Sequence, residues 1–324
     1  MSKQRLDVVG IGNAIVDVLA RVDDRFIDDH KMVRNAMTLI EADRAEAIYA
    51  AMPPAVEASG GSAANTIAGL ASLGATCGFI GKVRDDQLGH VFGHDVRAQG
   101  AEFTTPAAKD GPPTARCLIL ITPDGHRTMN TYLGASQGLG PDDVDPDVIA
   151  RGDIVYLEGY LWDRDAAKQA FEKAITLAHD AGNRVSLTLS DSFCVDRYRS
   201  EFRQLLQDGK IDILFANEAE ACSLFETDYD AAVQALRGLA PIAAVTRSEK
   251  GVDVVTADRI QSVPAKKTEV VDTTGAGDLF ASGFLYGIAR DYPLADAAAL
   301  GVDCASEVIS HVGPRPAISL RSFL

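Results

Sequence analysis

The stretch Val270-Val-Asp-Thr-Thr-Gly-Ala-Gly-Asp278, continuing into Leu279-Phe-Ala-Ser-Gly-Phe284, is the most informative part of this chain. Phe280, Phe284 and Ile288 fall at i, i+4 and i+8, one stripe of an amphipathic helix. Gly275, Ala276 and Gly277 therefore stand where that helix begins and backbone N–H groups lack intrahelical partners. Small residues let an anion come close to those donors, and the helix dipole favours negative charge there. Asp278 follows in the first turn. Two readings of the bare string stand side by side. Asp278 is a general base for a hydroxyl attacking a phosphoryl group, or it merely interacts with the dipole while Thr273 or Thr274 caps the helix.

Outward from this segment, apolar runs of strand length alternate with helical stretches. The spacing predicts strands at Asp7–Gly12, Asp153–Glu158, Arg184–Ser190, Ile211–Ala216, Ile242–Thr246 and Gly251–Thr256. Helices are expected at Ser62–Leu73, Arg164–Ala181, Glu218–Phe225 and Ala231–Leu239. Such repetition argues for an α/β fold, a mostly parallel central sheet flanked by helices, with sites beyond the strands' carboxyl ends. Two segments break the rhythm. Val16, Val18, Ala20 and Val22 alternate with Asp17, Leu19, Arg21 and Asp23, the period of a half-buried strand. Arg116–Thr122 and Arg127–Tyr132 flank a Pro-Asp-Gly-His turn and read as a hairpin. Lacking crossover helices, these strands are expected in a small separate sheet acting as a lid. The expected division is residues 1–12, 46–104 and 136–324 in the core and 13–45 and 105–135 in the lid.

Composition narrows the functional class. The chain has 324 residues with 31 basic and 46 acidic side chains, a net charge of −15. That charge repels nucleic acid and anionic membrane surfaces at long range, so neither is an expected partner. No apolar run approaches the length of a membrane span, and the N-terminus enters a strand-like run without a signal-like segment. The five cysteines, Cys77, Cys117, Cys194, Cys222 and Cys304, form no C-x-x-C pair and read as free thiols of a reducing compartment. A cytoplasmic enzyme, monomeric or homodimeric, is the expectation.

Other clusters carry weaker signals. Gly60-Gly-Ser-Ala-Ala-Asn65 opens a helix; Gly60 and Gly61 admit a ligand close to the backbone, and Asn65 both donates and accepts. The plainer reading is a loop with Ser62 as cap. Asn217-Glu-Ala-Glu220 has the form of a capping box; alternatively, its Asn and acid hold water on a Mg²⁺–phosphate. His90 and His94 share a helical spacing but have no third ligand nearby, so they read as surface residues. Two nucleotide motifs fail. Gly81-Lys82 is followed by Val83 and preceded by Thr76 where a P-loop needs glycine, and Gly10-Ile-Gly12 leads to Ile15 instead of a third glycine.

Together, Gly60–Asn65, Asn217-x-x-Glu220 and Asp272-Thr-Thr-Gly-Ala-Gly-Asp278 resemble, in order and spacing, the motifs of the ribokinase-like (PfkB) carbohydrate kinases. The likeness runs over essentially the whole chain. Gly12-Asn-Ala-Ile-Val-Asp17, Val22–Ile27 and Ser186–Ser190 running on to Ile211–Glu220 look most like the adenosine kinases of that family. The resemblance implies a three-layer ribokinase-like fold and ATP- and Mg²⁺-dependent phosphorylation of a nucleoside 5′-hydroxyl. By the same resemblance, Asp17, Gly60, Gly61 and Asn65 would hold the ribose hydroxyls, and Asn13 would sit near the base. Asp278 would be the base, with the Gly275, Ala276 and Gly277 amides and Arg127 on the transferring phosphoryl group. Asn217, Glu220, Thr246 and Gly251 would serve the nucleotide, with Glu220 acting on Mg²⁺ through water. Asp272 and Thr274 match a monovalent-cation site of ribokinases and would hold K⁺.

The chain also departs from these relatives. Met37 stands where adenosine kinases of animals carry a base-contacting Gln, Thr274 where they have Asn, and Ser248 where many relatives have Gly. Two other functions compete with a nucleoside kinase. A kinase for ribose, fructose or a related sugar keeps the chemistry and changes the acceptor; a non-catalytic nucleoside sensor would have no need of Asp278.

Overall fold

The computed structural model describes residues 4–324. The chain enters at β1 (Leu6–Ile11) and leaves the main layer at β2 (Ile15–Arg21), β3 (Met37–Leu39) and β4 (Val56–Gly60). It returns for β5 (Cys77–Ile80) and β6 (Ala101–Phe103), then forms β7 (Ala115–Ile121) and β8 (Arg127–Tyr132). The second half supplies β9 (Gly152–Glu158), β10 (Arg184–Thr188), β11 (Ile213–Asn217), β12 (Ile242–Thr246), β13 (Val252–Val255) and β14 (Ile260–Val263).

Nine strands make one sheet in the order β14-β13-β12-β11-β10-β9-β1-β5-β6. All pairings from β12 to β6 are parallel; β13 alone is reversed, pairing antiparallel with both β12 and β14. Strands buried on both faces read as continuous apolar runs, which is why β9 and β11 were legible in the sequence. Alternate side chains of each strand feed two different cores. Val8, Tyr156 and Phe215 pack with the helices Ser62–Leu73, Ala276–Ala289 and Leu294–Val308. Val9, Val155, Leu157 and Leu214 pack with Asp165–Asp180, Ser192–Gln207 and Tyr229–Leu236. The result is the expected three layers, helix, sheet and helix.

The remaining five strands form a smaller sheet, β3-β8-β7-β2-β4. The expected hairpin is β7 against β8, antiparallel from Arg116↔Tyr132 to Ile121↔Arg127. Val16, Val18 and Ala20 turn into the core, and Ile15 and Leu19 lie on the opposite face with Cys117, Ile119 and Met129. One expectation needs correction. Val56–Gly60, inside the span 46–104 assigned to the core, pairs antiparallel with β2 and belongs to the small sheet. Its sequence, Val-Glu-Ala-Ser-Gly, has neither the apolar run nor the alternation that marks a strand. The last helix of the expected set runs Tyr229–Leu236 instead of Ala231–Leu239, because the Asp228 carboxylate caps it by accepting from the Ala231 amide. Among the described residues no helix is long and apolar enough to cross a membrane, and all five cysteines are free thiols.

Candidate active site

A cavity of about 1240 Å³ opens between the two sheets. Its floor is the carboxyl edge of the large sheet. Asn13 follows β1, Glu158 ends β9, Thr188 ends β10, Asn217 ends β11 and Thr246 ends β12, and all five line it. One wall is the face of the small sheet carrying Asp17, Ile15, Cys117, Ile119 and Met129. The helix Ala276–Ala289 begins in the cavity, where Gly275, Ala276, Gly277 and Asp278 line it.

Gly275 takes a φ of +80° as the N-cap, a left-handed conformation that any Cβ would penalise. Behind it stands Pro314, 2.8 Å from where a Cβ would lie. The amides of Gly275 and Gly277 have no hydrogen-bond partner among the described residues, whereas the Ala276 amide donates to the Thr273 carbonyl at 3.2 Å. Two free amides at the positive end of a helix dipole therefore face the cavity. Three residues on, the Asp278 carboxylate accepts from Ser62 Oγ at 2.7 Å and from Asn65 Nδ2 at 2.9 Å. Burial raises its pKa; the donors on Asn65 and Ser62 and the charge of Arg315 oppose that rise.

Two other polar groups of the cavity are left open to a ligand. Asp17 is 9% exposed, and among the described residues no hydrogen bond satisfies its carboxylate. Burial pushes its pKa up to about 6, against the pull of Arg315 and Arg127. Asn65 Oδ1 is likewise buried without a partner. Buried carboxylate and amide oxygens without donors are costly to keep unless a ligand supplies the donors. Gly60 and Gly61 shape this corner without touching the cavity equally. Gly61 lines it and has φ +95°; a Cβ there would meet the Asn13 carbonyl at 2.3 Å, and one on Gly60 would meet the Asp17 carboxylate at 2.4 Å. Asn13 is held from below, its Nδ2 donating to Glu158 Oε1 at 2.6 Å. Glu158 also accepts from the Ala63 amide at 2.9 Å, and burial raises its pKa to about 7.

At the far end, Asn217 and Glu220 form the capping box anticipated as one of two readings. Glu220 Oε1 accepts from Asn217 Nδ2 at 2.6 Å, and Asn217 Oδ1 accepts from the Glu220 amide at 2.9 Å. Both still line the cavity, and burial raises the Glu220 pKa to about 7. Among the described residues no group of three His, Cys, Asp or Glu side chains could hold a metal ion. Glu220 thus fits a Mg²⁺ ion that is carried by phosphates and keeps its own water, and does not fit a protein cage. Thr246 and Gly251 line the same end. Gly251 has φ +94° and sits where a Cβ would strike the Val263 carbonyl at 2.1 Å. Ser248, which also lines this end, is held at φ +50°.

Arg127 and Asp272 do not line the cavity. Arg127 Nη1 lies 2.9 Å from Asp272 Oδ2, an ion pair with both side chains largely buried. Asp272 Oδ1 accepts from the Thr274 amide at 3.0 Å and from Thr274 Oγ1 at 2.7 Å, and its Oδ2 accepts from the Gly313 amide at 2.9 Å. With both carboxylate oxygens engaged and a guanidinium alongside, the pair Asp272 and Thr274 does not fit K⁺. The same contact holds the Arg127 guanidinium on Asp272, outside the cavity lining. Sequence reasoning missed Glu158 and Arg315. Glu158 carried a readable signal, an acid closing an apolar strand at the sheet's carboxyl edge; Arg315 sits between two prolines and carried none.

A pfkB family carbohydrate kinase model matches residues 32–320. The solved structure of an adenosine kinase from Sinorhizobium meliloti is 52% identical with a TM-score of 0.91, covering 98% of each chain. A probable sugar kinase protein from Rhizobium etli is 50% identical, also with a TM-score of 0.91, covering 99% of this chain and 98% of its own. An ATP-dependent ribose-1-phosphate kinase from Halopiger xanaduensis is 31% identical over 231 residues, 71% of this chain and 73% of its own length.

Proposed function

The chain belongs to the pfkB family of carbohydrate kinases, and from that premise we propose that it transfers the γ-phosphoryl group of ATP to the 5′-hydroxyl of a nucleoside, adenosine, yielding AMP and ADP. One observation carries the choice of acceptor. The unpartnered acceptors of Asp17 and Asn65 lie beside an apolar wall of Ile15, Cys117, Ile119 and Met129. Adjacent ribose hydroxyls supply the missing donors, and a flat base covers the apolar wall. A free sugar would satisfy the first and leave the second wet. The 52% identity to the adenosine kinase of S. meliloti supports the same reading.

In the reaction the acceptor's oxygen attacks the γ-phosphorus in line as Asp278 takes its proton, and the bond to the β-phosphate oxygen breaks. The free amides of Gly275 and Gly277 stabilise charge on the transferring group. Mg²⁺, when bound with ATP, neutralises phosphate charge. Glu220 would hold water of that ion, and Thr246 and the Gly251 turn shape the nucleotide end. The small sheet serves as the lid that excludes water from the transfer. The work belongs in the cytoplasm, where ATP and reduced thiols coexist.

Consumption of ATP with Mg²⁺ across adenosine, other nucleosides, ribose, ribose 1-phosphate and fructose tests the proposal. Turnover confined to adenosine with AMP as product is the expected result. A higher kcat/KM for a free or phosphorylated sugar would replace the acceptor and agree with the 31% relative. Tight nucleoside binding without transfer to any acceptor would leave a sensor instead of an enzyme. Omitting K⁺ should leave the rate unchanged, since Arg127 occupies the anion of that site.

A further inference from the structure

The C-terminal segment Gly313-Pro-Arg-Pro316 reads in the sequence as loop punctuation. In the fold it crosses behind the acceptor corner. Arg315 Nη1 donates to the Ala64 carbonyl at 2.8 Å, and its Nη2 donates to the Ser59 carbonyl at 2.7 Å. Those two carbonyls bracket the Gly60-Gly61-Ser62 turn, whose next residues supply Asn65. A planar fork with fixed donor angles suits that task, and the more flexible ammonium of lysine does not. Gln99 and Asp95 complete the surround. Gln99 Oε1 accepts from Arg315 Nη1 at 3.1 Å, and Asp95 Oδ2 accepts from the Ser59 amide at 2.9 Å.

The charge of this guanidinium matters as much as its shape. Asp278 on the helix Ala276–Ala289 raises the cost of charging Asp17 on the small sheet, and acts in the same sense on Glu158, Tyr156 and Tyr160. Among the described residues only Arg127, already bound to Asp272, offers Asp17 a second cation. Arg315 is the cation felt by both Asp17 and Asp278. It is itself drawn down by burial to about 10, with Asp17, Asp278 and Asp95 pulling upward, and so stays charged at neutral pH.

We propose that Arg315 is the positioning residue of the acceptor site: its guanidinium ties together the two ends of the Gly60–Ser62 turn and supplies the shared positive charge facing Asp17 and Asp278. This rests on the phosphoryl-transfer reading above, because both carboxylates must be ionised to bind the diol and to accept the proton. It makes two separable demands, geometry for acceptor binding and charge for the pH range of turnover. R315K keeps the charge and loses the fork; R315Q loses both.

The experiment is the pH dependence of kcat and of acceptor and ATP KM for the wild type, R315K and R315Q between pH 5 and 9. In R315Q the acidic limb should move up by roughly one pH unit, and the acceptor KM should rise about tenfold or more while the ATP KM holds. R315K should keep the wild-type limb and still show the raised acceptor KM. A folded R315Q with a wild-type limb and acceptor KM would overturn the proposal, as would an R315K variant indistinguishable from wild type in KM. Should R315Q fail to fold, R315K alone decides the geometric half. Carbon-13 titration of labelled aspartates, assigned with D17N and D278N, reads the charge half without any turnover. If the wild type phosphorylates no acceptor, upward movement of both aspartates in either soluble charge-removing variant, R315Q or R315M, still supports the role. Unmoved aspartates would overturn it whatever the acceptor proves to be.

Discussion

Asp278 sits under two opposed influences, and their balance decides whether it can act as a base. Withdrawal from water favours the protonated form; Asn65 Nδ2 at 2.9 Å, Ser62 Oγ at 2.7 Å and the Arg315 charge favour the carboxylate. Burial makes this carboxylate a stronger proton acceptor than an ordinary exposed aspartate, while its two donors and the guanidinium favour the ionised form that a base needs. D278N preserves size and can still accept from Ser62, so the loop need not move. Its turnover should fall by roughly 10²–10⁴-fold, the usual share of general base catalysis. ATP affinity should be unchanged, since the free amides of Gly275 and Gly277 are backbone. Single-turnover rates set beside calorimetric ATP binding check this. A variant that turned over like the wild type would remove Asp278 from the chemistry, and one that lost ATP binding as well would make it structural.

At the scale of elements, the sheet and its crossover helices were legible because their residues obey one rule throughout. Continuous apolar runs such as Ile242–Thr246 lie between helical stretches with buried stripes such as Phe280 and Phe284. What escaped were short or polar elements whose strand character comes from a partner. Cys77–Ile80 is four residues long, Met37–Leu39 is three, and Val56–Gly60 is defined by its pairing with β2. The site divides the same way. The glycine-rich turns could be found because backbone shape demands those residues locally. The Arg127–Asp272 pair and the Arg315 contacts join residues 145 and 216 or more positions apart, and no local pattern encodes them. The turn after β12 yields its own prediction. Ser248 is held at φ +50°, a conformation costing a non-glycine residue roughly 1–2 kcal/mol, partly offset by the greater freedom of glycine when unfolded. S248G should therefore raise stability by up to about 1 kcal/mol without changing acceptor KM. Equilibrium unfolding in urea would show it, and a destabilised S248G would mean that the serine side chain supports the loop.

The whole molecule carries a net charge of −15 and buries several carboxylates beneath it. Burial raises Glu158 and Glu220 to about 7 and Asp17 to about 6, all above their values in an unfolded chain. Over the interval from the unfolded to the folded pKa, the native state holds more protons than the unfolded one. Stability from these groups is fully present below the unfolded values and is lost as pH rises through 6 to 7. Self-repulsion of an acidic protein grows over the same range and adds to the loss. Asp272 acts in the opposite sense. Burial pushes its pKa up, but the Gly313 amide, Thr274 and Arg127 outweigh that and leave it below the usual carboxylate value. Its contribution is present above the unfolded value and disappears as pH falls through the folded one. The two trends place the stability maximum on the mildly acidic side of neutrality. Thermal melts at constant ionic strength should give a higher Tm near pH 5.5 than at pH 8.5. E158Q should flatten that slope, because the amide can still accept from Asn13 but no longer gains a charge. A Tm that climbed steadily to pH 8.5 would mean that Glu158 and Glu220 are already ionised in the folded protein at pH 5.5, with Asn13 and Asn217 donors strong enough to cancel their burial.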